Sequence, residues 1–179
     1  MHRLHLLAFV TASALSGCAQ HPSTGNTPTR SDMSAPTQNP HYSRTDTTLL
    51  QVSDQEWSRI LPDSVYQVAR MKGTERPFSG KYWDYEGLGM YHCAVCGNAL
   101  FRSDSKFGSS CGWPSFFETL RPEAVRYVRD TSHGMERVEV LCGRCDSHLG
   151  HVFDDGPPPT GKRFCMNSLV LEFDPDQKP

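Results

Sequence analysis

Four of the seven cysteines form two Cys-x-x-Cys pairs, whereas Cys111 and Cys165 fit no metal-binding spacing. Two residues between cysteines allow both sulfurs of a tight turn to point at one metal ion, and two such turns complete a tetrahedral thiolate site. Four cysteine ligands leave no open coordination position. The pattern therefore predicts one structural Zn²⁺ bound by Cys93, Cys96, Cys142 and Cys145.

Two other interpretations of the paired cysteines stay open. An exported protein can oxidise them to disulfides, and a single Cys-x-x-Cys can be a redox motif. The gap between the two pairs is longer than in a compact zinc ribbon. We therefore expect the two turns to come from distant hairpins, which the metal would join.

Cys165 has the surroundings of a possible nucleophile. It lies in the segment Arg163-Phe164-Cys165-Met166-Asn167 and has no cysteine nearby in the sequence. A reactive cysteine needs a lowered pKa, which nearby imidazoles and Arg163 are expected to supply. Asn167 lies two residues further on, so on a strand it would share the face of Cys165.

The segment His148-Leu149-Gly150-His151-Val152-Phe153 carries two histidines three positions apart. On a bend or a twisted strand this spacing can aim both rings at one place, and histidine is a suitable proton donor near neutral pH. The plainer interpretation is that Cys165 is a small buried hydrophobe, that the histidines lie on the surface, and that Trp113 belongs to the core.

An N-terminal leader and a tether precede the domain that carries these residues. Residues 1–17 have a weakly basic start and an apolar run too short to span a bilayer, which is typical of a signal peptide. The end of this run, Leu15-Ser16-Gly17-Cys18, resembles a bacterial lipobox, so Cys18 is the predicted lipidation site. Ala19 rather than aspartate follows it, which favours the outer membrane over the inner membrane of an exported lipoprotein.

Residues 18–48 are rich in Thr, Ser, Pro, Asn and Gln and are predicted to be a disordered tether. Residues 49–174 then form one domain, and residues 175–179 a short tail. The charged residues almost balance, with a formal net charge of −2 and no basic run, which argues against nucleic-acid binding.

Only the start of the domain has helical signals. Ser53 and Glu56 have the spacing of a capping box, and Pro62 should end the first helix. Asp63 is placed to cap a second helix that runs towards Gly73. Beyond it, Gly and Pro separate short apolar runs, with strands predicted at 124–129, 137–141 and 168–173. The fold class is therefore mainly β with one or two N-terminal helices.

The domain resembles the type B peptide methionine sulfoxide reductases. The matching blocks are KGTERPFSGKY, the first Cys-x-x-Cys-Gly turn, LFRSDSKFGSSCGWPSF, RVEVLCGRCDSHLGHVFDDGPPPTG and RFCMNS. Ser110 departs from the glycine of many members and is expected to tune the loop without removing chemistry. Cys111 also varies in the family, and this chain carries the form with a resolving cysteine.

The resemblance implies a fold of two antiparallel sheets clipped by zinc, and a role for each residue of the site. Cys165 would be the nucleophile, Cys111 the resolving thiol and Trp113 the wall for the S-methyl group. His148, His151 and Asn167 would orient the sulfoxide and supply protons, and Phe153 and Arg163 would complete the pocket.

The implied reaction reduces the R epimer of methionine sulfoxide in oxidised proteins. Cys165 would become a sulfenic acid, Cys111 would convert it to a disulfide, and a thioredoxin-like or other dithiol donor would reduce that disulfide. Two alternatives remain. The domain could be a zinc-clipped binding module with buried thiols, or a general thiol–disulfide exchange protein that uses a Cys-x-x-Cys nucleophile.

Overall fold

A computed structural model describes residues 39–177 of the chain. The predicted signal peptide, Cys18 and the first part of the predicted tether lie outside the described residues. Within the described range, no helix is long and apolar enough to cross a membrane.

Two short helices open the domain: α1 (Asp54–Ile60) and α2 (Asp63–Ala69). The Ser53 hydroxyl accepts a hydrogen bond from the Glu56 amide at 3.2 Å, as the capping spacing predicts. The Glu56 carboxylate pairs instead with His41 at 2.7 Å, so the second half of the capping box is not formed.

The second helix differs from its prediction at both ends. Pro62 occupies the N-cap position, and Asp63 lies inside the first turn without capping it. The helix ends at Ala69 rather than near Gly73. Lys72 adopts a left-handed conformation (φ 57°), and the Gly73 amide bonds back to the Gln67 carbonyl, so the chain turns out of the helix before the glycine.

The rest of the domain consists of short antiparallel strands in two sheets, which confirms the mainly β prediction. One sheet has the order β2-β1-β9 and the other the order β3-β4-β8-β7-β6-β5. The strands are β1 (Gly89–Cys93), β2 (Ala99–Arg102), β3 (Lys106–Phe107), β4 (Ser115–Phe116), β5 (Val125–Asp130), β6 (Arg137–Cys142), β7 (His148–Phe153), β8 (Arg163–Met166) and β9 (Leu171–Pro175).

The strand predictions at 124–129 and 137–141 correspond to β5 and β6, but the one at 168–173 begins too early. Residues Ser168–Val170 form a 3₁₀ turn, and β9 starts at Leu171. The Ser168 and Leu169 amides donate to the Glu75 carboxylate at 2.6 and 3.0 Å, so they do not join a strand ladder.

Aromatic residues of the core join the two sheets. Phe101 of β2 stacks on Phe116 of β4 with 4.3 Å between ring centroids, and Tyr91 of β1 meets Phe116 edge-on at 5.0 Å. All three residues are fully buried, and aromatic pairs of this kind stabilise a core beyond their apolar area. Since β4 pairs with β8, this packing fixes the position of β8, the strand that carries Cys165.

The segment before α1 contacts the domain, which corrects the predicted tether boundary at residue 48. The Ser43 amide donates to the Cys96 carbonyl at 3.0 Å, and Arg44 pairs with Glu172 and Asp174 at 2.9 and 2.7 Å. The segment lacks aliphatic residues and is held by polar contacts, which composition does not reveal. Among the described residues, contacts with the domain are therefore already present at Asn39, ten residues before the predicted domain start.

Candidate active site

Cys111 and Cys165 lie next to each other although they are distant in the sequence. Ser115 of β4 pairs with Cys165 of β8, and the loop before β4 returns Cys111 to the same point. The two Sγ atoms are 3.5 Å apart, and both cysteines are free and partly exposed. A disulfide bond of about 2.05 Å therefore needs only a small approach of the two sulfurs.

Gly112 permits the sharp turn that follows Cys111. Its φ angle is +88°, and a Cβ at this position would lie 2.8 Å from the Phe78 amide nitrogen. That amide also donates to the Gly112 carbonyl at 2.7 Å. Only glycine tolerates both the conformation and the close approach, so the loop is fixed against the segment around Phe78.

The electrostatics of the thiol pair differ from the expectation for Cys165. Burial, followed by the neighbouring Cys111, raises the pKa of Cys165 to about 12, and Arg163 offsets only part of this. Burial also raises the pKa of Cys111, but hydrogen bonds from Ser109 and Ser115 outweigh it and bring the pKa to about 7. Of the two thiols, Cys111 therefore has the lower pKa and loses its proton more readily.

A cavity of about 120 Å³ opens beside the Cys165 sulfur. Trp113 and Phe153 give it an apolar side, and its other side is polar. The indole nitrogen of Trp113 donates to the Glu75 carbonyl at 3.1 Å, which fixes the ring. The cavity suits a small ligand with one apolar and one polar part; its lining residues are Thr74, Trp113, Arg137, Gly150, His151, Phe153, Cys165, Met166 and Asn167.

A β-bulge brings the two histidines together. Residues three apart on a regular strand point to opposite faces, but the register between β6 and β7 shifts next to Leu149. The rings of His148 and His151 consequently lie 5.4 Å apart, centroid to centroid. Gly150 lies between them, and a Cβ there would be 2.1 Å from the Cys165 carbonyl oxygen, so glycine allows β7 to approach β8.

Each histidine is oriented by a carboxylate. His148 Nδ1 is 2.8 Å from Glu139, which also binds Lys72 at 2.8 Å, and His151 Nε2 is 2.8 Å from Asp130. Carboxylates accept hydrogen bonds, so these ring nitrogens carry the protons. Nδ1 of His151 is then the atom available to a ligand.

The two histidines differ in their position relative to the cavity. His151 pairs in register with Cys165 and lines the cavity, whereas His148 is almost fully buried behind it. Burial lowers the pKa of His148, against the opposing effect of Glu139. Its Nε2 atom has no hydrogen-bond partner among the described residues.

Hydrogen bonds of Asn167 connect the cavity lining to β7 and to the segment around Glu75. The strand β8 ends at Met166, so Asn167 lies beyond the strand on which it was expected. Its amide nitrogen donates to the Leu149 carbonyl at 3.1 Å, and its oxygen accepts from the Glu75 amide at 3.0 Å. Asn167 therefore lines the cavity with both side-chain atoms already bonded to the backbone.

Arg163 packs on Phe153, which lines the cavity, and does not line the cavity itself. The guanidinium lies over the ring, 4.5 Å from its centroid, and Asp155 holds it by two hydrogen bonds of 2.8 Å. A cation over an aromatic face is an attractive arrangement. The pair keeps a positive charge on the strand of Cys165.

The four paired cysteines form the predicted cluster. Two similar turns present them: the Gly97 amide bonds to the Cys93 carbonyl at 2.8 Å, and the Asp146 amide to the Cys142 carbonyl at 3.0 Å. Gly97 and Asp146 both have positive φ angles, 81° and 57°. The first turn follows β1 and the second follows β6, so the cluster joins the two sheets.

The sulfur positions fit a tetrahedral metal ion. Cys93 and Cys145 are 3.8 Å apart, Cys96 and Cys142 are 3.6 Å apart, and all four ligand atoms lie within 4.8 Å of one another. Bonds of about 2.3 Å from a central ion imply sulfur separations of about 3.8 Å. All four residues are buried. The cluster can therefore hold a metal ion, in a closed site.

The SelR domain profile matches residues 61–175 of the chain. A peptide methionine sulfoxide reductase MsrB from Pseudomonas savastanoi pv. phaseolicola is 57% identical over 128 residues, which are 72% of this chain and 98% of that protein. The MsrB of Thiobacillus denitrificans is 55% identical over 123 residues (69% and 93%), and that of Synechococcus sp. 52% identical over 124 residues (69% and 91%). The chain belongs to this family. As a SelR-domain methionine sulfoxide reductase, it is an oxidoreductase.

The geometry of this reductase brings together most of the residues selected from the sequence. Trp113, Phe153, Cys165, His151 and Asn167 line one cavity. The remaining ones support it: Cys111 touches Cys165, His148 lies behind His151, and Arg163 covers Phe153.

The sequence analysis did not predict several residues of the reductase site. Glu75 binds the backbone of residues 168 and 169 as well as Asn167, and the carboxylates of Asp130 and Glu139 orient the histidines. These contacts join residues far apart in the chain, and no local spacing indicates them. The sequence gives one indication of a role for Glu75. It is an acidic residue in the block KGTERPFSGKY, two positions after a glycine and two before a proline.

Proposed function

We propose that this chain reduces the R epimer of methionine sulfoxide in oxidised proteins, with Cys165 as the nucleophile and Cys111 as the resolving thiol. The observation that carries this proposal is the 3.5 Å contact of two free thiols beside a cavity with an aromatic side and a histidine side. The choice of epimer rests on the family resemblance.

In the first step the sulfoxide enters the cavity. Its methyl group packs on Trp113 and its oxygen faces His151. Cys165 reacts as the thiolate, and the sulfur of Cys111 and the ring of His151 are the neighbouring groups that can take its proton. Cys165 then accepts the oxygen atom and becomes a sulfenic acid, while the sulfoxide leaves as methionine, two electrons more reduced.

In the second step the Cys111 thiolate attacks the sulfenic sulfur. The new bond is the Cys111–Cys165 disulfide, and the broken bond is the S–O bond, whose hydroxyl group takes up one proton, equivalent to the one that Cys111 lost on ionisation, and leaves as water. An external dithiol, a thioredoxin-like protein or a small reductant, reduces the disulfide by exchange. Both sulfurs are already in contact, which supports a direct resolving step.

The cysteine cluster is proposed to hold one structural Zn²⁺. Four thiolates suit this soft ion and leave no position for substrate, so the zinc stabilises the junction of the two sheets and takes no part in the reaction. Metal analysis is expected to find one zinc per chain. Two disulfides by mass, with no metal, would refute this assignment.

Two alternatives are less consistent with the geometry. A binding module has no need of two free, partly exposed thiols in contact, and an exchange protein needs an accessible Cys-x-x-Cys, whereas all four such cysteines are buried. Labelling of the folded protein separates them. Reductase chemistry predicts label on Cys111 or Cys165 before any cluster cysteine.

The decisive test is turnover of the separate R and S epimers of a methionine sulfoxide peptide with a small dithiol reductant. We expect methionine to form from the R epimer only. Equal turnover of both epimers would refute the assignment of the R epimer. No turnover of either epimer would overturn the proposed function.

His151→Ala is expected to slow methionine release by about 10²–10⁴-fold, because a positioned proton donor typically contributes that much. His148→Ala should also slow the step, but less, because His148 lies behind His151. Rapid-quench measurement of a single turnover checks both variants. Wild-type rates in both would show that the histidines only shape the pocket.

The N-terminal sequence supports an exported lipoprotein anchored at Cys18, with the outer membrane favoured by Ala19. Cys18→Ala is expected to release the protein from membranes while the separated soluble fraction keeps full reductase activity. Fractionation of cells that express the two forms is the measurement. An unchanged membrane fraction would exclude lipidation at this residue.

A further inference from the structure

The loop around Cys111 contains polar groups that the reaction as described does not use. The Ser109 hydroxyl lies 3.1 Å from the Cys111 sulfur and accepts a hydrogen bond from the Cys111 amide at 3.3 Å. Because that hydroxyl accepts from the backbone, its own proton is directed at the sulfur. The Ser115 hydroxyl, which is fully buried, lies 3.5 Å from the same sulfur on the other side.

We propose that Ser109, assisted by Ser115, is a positioning residue that holds Cys111 as a thiolate aimed at Cys165, so that the resolving step proceeds at neutral pH. This rests on the resolving role proposed for Cys111. The two hydroxyls belong to the Cys111 loop and to β4, and neither is on the strand of Cys165. Both hydrogen bonds to Cys111 are therefore retained after Cys165 has been oxidised. The bond that it assists is the disulfide bond, and the group that leaves is the sulfenic oxygen as water.

The two hydroxyls are not equivalent. Ser115 also lies within 3.3 Å of the Trp113 carbonyl, so its single proton is shared between two acceptors. Ser109 has no other acceptor among its described contacts. The effect of Ser109 should therefore be the larger one.

The charges around Cys111 agree with this role. Its thiol has a pKa of about 7 despite burial, and the Ser109 hydrogen bond is the largest of the lowering effects. Removal of that donor moves the pKa of Cys111 up towards the ordinary value of about 8.5. The thiolate fraction at pH 7 then falls, whereas at pH 9 most of the thiol is ionised in either form.

The test is a single turnover of Ser109→Ala at pH 7 and pH 9, with methionine release and loss of free thiols followed separately. We expect disulfide formation at pH 7 to slow by roughly three- to tenfold, since thiolate fraction falls while nucleophilicity rises slightly. At pH 9, where most of the thiol is ionised in both forms, the variant should reach or exceed the wild-type rate. Ser109→Thr, which keeps the hydroxyl, should restore the wild-type pH profile.

Ser110→Ala is the matched control, because Ser110 is the adjacent exposed serine and makes no hydrogen bond among the described residues. A rate loss in Ser109→Ala that is equal at both pH values would overturn the proposal and indicate a structural role. Failure of the underlying function is distinguishable: wild type would then form no Cys111–Cys165 disulfide at either pH.

A second feature lies outside the residues matched by the SelR profile. The segment 39–46, named here the strap, crosses the first cysteine turn. Asn39 Nδ2 donates to the Val95 carbonyl at 2.7 Å, and the Ser43 amide donates to the Cys96 carbonyl at 3.0 Å. A Cβ on Gly97 would be 2.6 Å from the Ser43 carbonyl oxygen, so the strap passes directly over the turn.

The second cysteine turn holds the other end of the strap. Arg144, which lies between Cys142 and Cys145, is buried and donates to the carbonyls of His41 and Cys96 at 2.8 and 2.6 Å. It also pairs with the Asp46 carboxylate at 2.8 Å. Arg144 thereby links the strap to both turns of the cluster.

We infer that the strap restricts opening of the cysteine cluster and so slows loss of its metal ion to competing ligands. This rests on the proposed zinc site. The test is the rate of zinc transfer from the full-length holoprotein to a coloured chelator. Asn39→Ala combined with Asp46→Ala removes two strap contacts, and transfer is expected to be about tenfold faster, because each hydrogen bond lost opens the site more often.

Asp176→Ala is the matched control, since Asp176 also pairs with an arginine, Arg102, and makes no hydrogen bond or ion pair with the described residues of the strap. Its transfer rate should equal that of wild type. Equal rates in the double variant and the control would overturn the inference. A preparation without bound zinc would instead refute the metal assignment, and metal analysis before the experiment separates the two outcomes.

Discussion

Replacing Cys165 with serine is expected to abolish methionine sulfoxide reduction, with turnover lowered by a factor on the order of 10⁴ or more. The proposed reaction transfers the oxygen atom to this sulfur, and a serine hydroxyl cannot accept it. Cys111 lies 3.5 Å away but does not line the cavity, so it is not placed to replace Cys165. Turnover of the R-sulfoxide peptide with excess dithiol is the measurement.

The fold should survive this change. Cys165 is only partly buried, its strand is held by pairing with β4 and β7, and the cysteine cluster is formed by other residues. Circular dichroism and metal content should therefore match wild type. Cys165→Ala is a second variant of similar size. If either variant still turned over, Cys165 would be excluded from the mechanism.

The sequence predicts those parts of the site that local spacing controls. Two residues between cysteines form a tight turn by themselves, so the cluster could be predicted without knowledge of the fold. The two histidines were expected to meet on a bend, and a β-bulge beside Leu149 brings them together. Both predictions use geometry that the nearest few residues determine.

The contact between Cys111 and Cys165 could not be derived from spacing, because the pairing of β4 with β8 creates it. Both strands are short, and β4 has two residues, too few for a hydrophobic pattern. Here the family resemblance indicated the pair of residues. The carboxylates of Asp130 and Glu139 were missed for the same reason, since they approach the histidines across strand pairs.

The pKa values of the two thiols depend on features that the sequence does not show. The sequence shows that Arg163 is close to Cys165, but not how deeply the sulfur is buried. Burial has the larger effect and raises the pKa of Cys165, while the hydroxyls of Ser109 and Ser115 lower that of Cys111. The residues near Cys165 in the sequence therefore do not reveal that the lower pKa of the pair belongs to Cys111.

Replacing Cys111 with serine separates the two steps of the reaction. The oxygen atom is transferred only to the Cys165 sulfur, so the variant is expected to release about one methionine per enzyme without any reductant. The substitution removes the neighbouring sulfur that raises the pKa of Cys165, and the ring of His151 remains to take the Cys165 proton, so the first attack should still proceed. Quantification of methionine in a rapid-quench experiment, with wild type as the reference, is the measurement.

After that first turnover Cys165 should remain a sulfenic acid, because no second thiol lies in contact with it. A sulfenate-specific reagent should label Cys165 in this variant, while in wild type the oxidised peptides should contain a Cys111–Cys165 disulfide. Repeated turnover with a protein dithiol donor is expected to fall sharply, since the disulfide that it reduces cannot form. A small dithiol can still attack the sulfenic sulfur directly and restore part of the activity.

The result in wild type decides whether Cys111 is the resolving thiol. If wild type formed a disulfide between cluster cysteines, or no disulfide, Cys111 would not be the residue that resolves the sulfenic acid. The 3.5 Å between the two sulfurs favours the Cys111–Cys165 disulfide, because it leaves a sulfenic acid on Cys165 within immediate reach of the Cys111 thiolate.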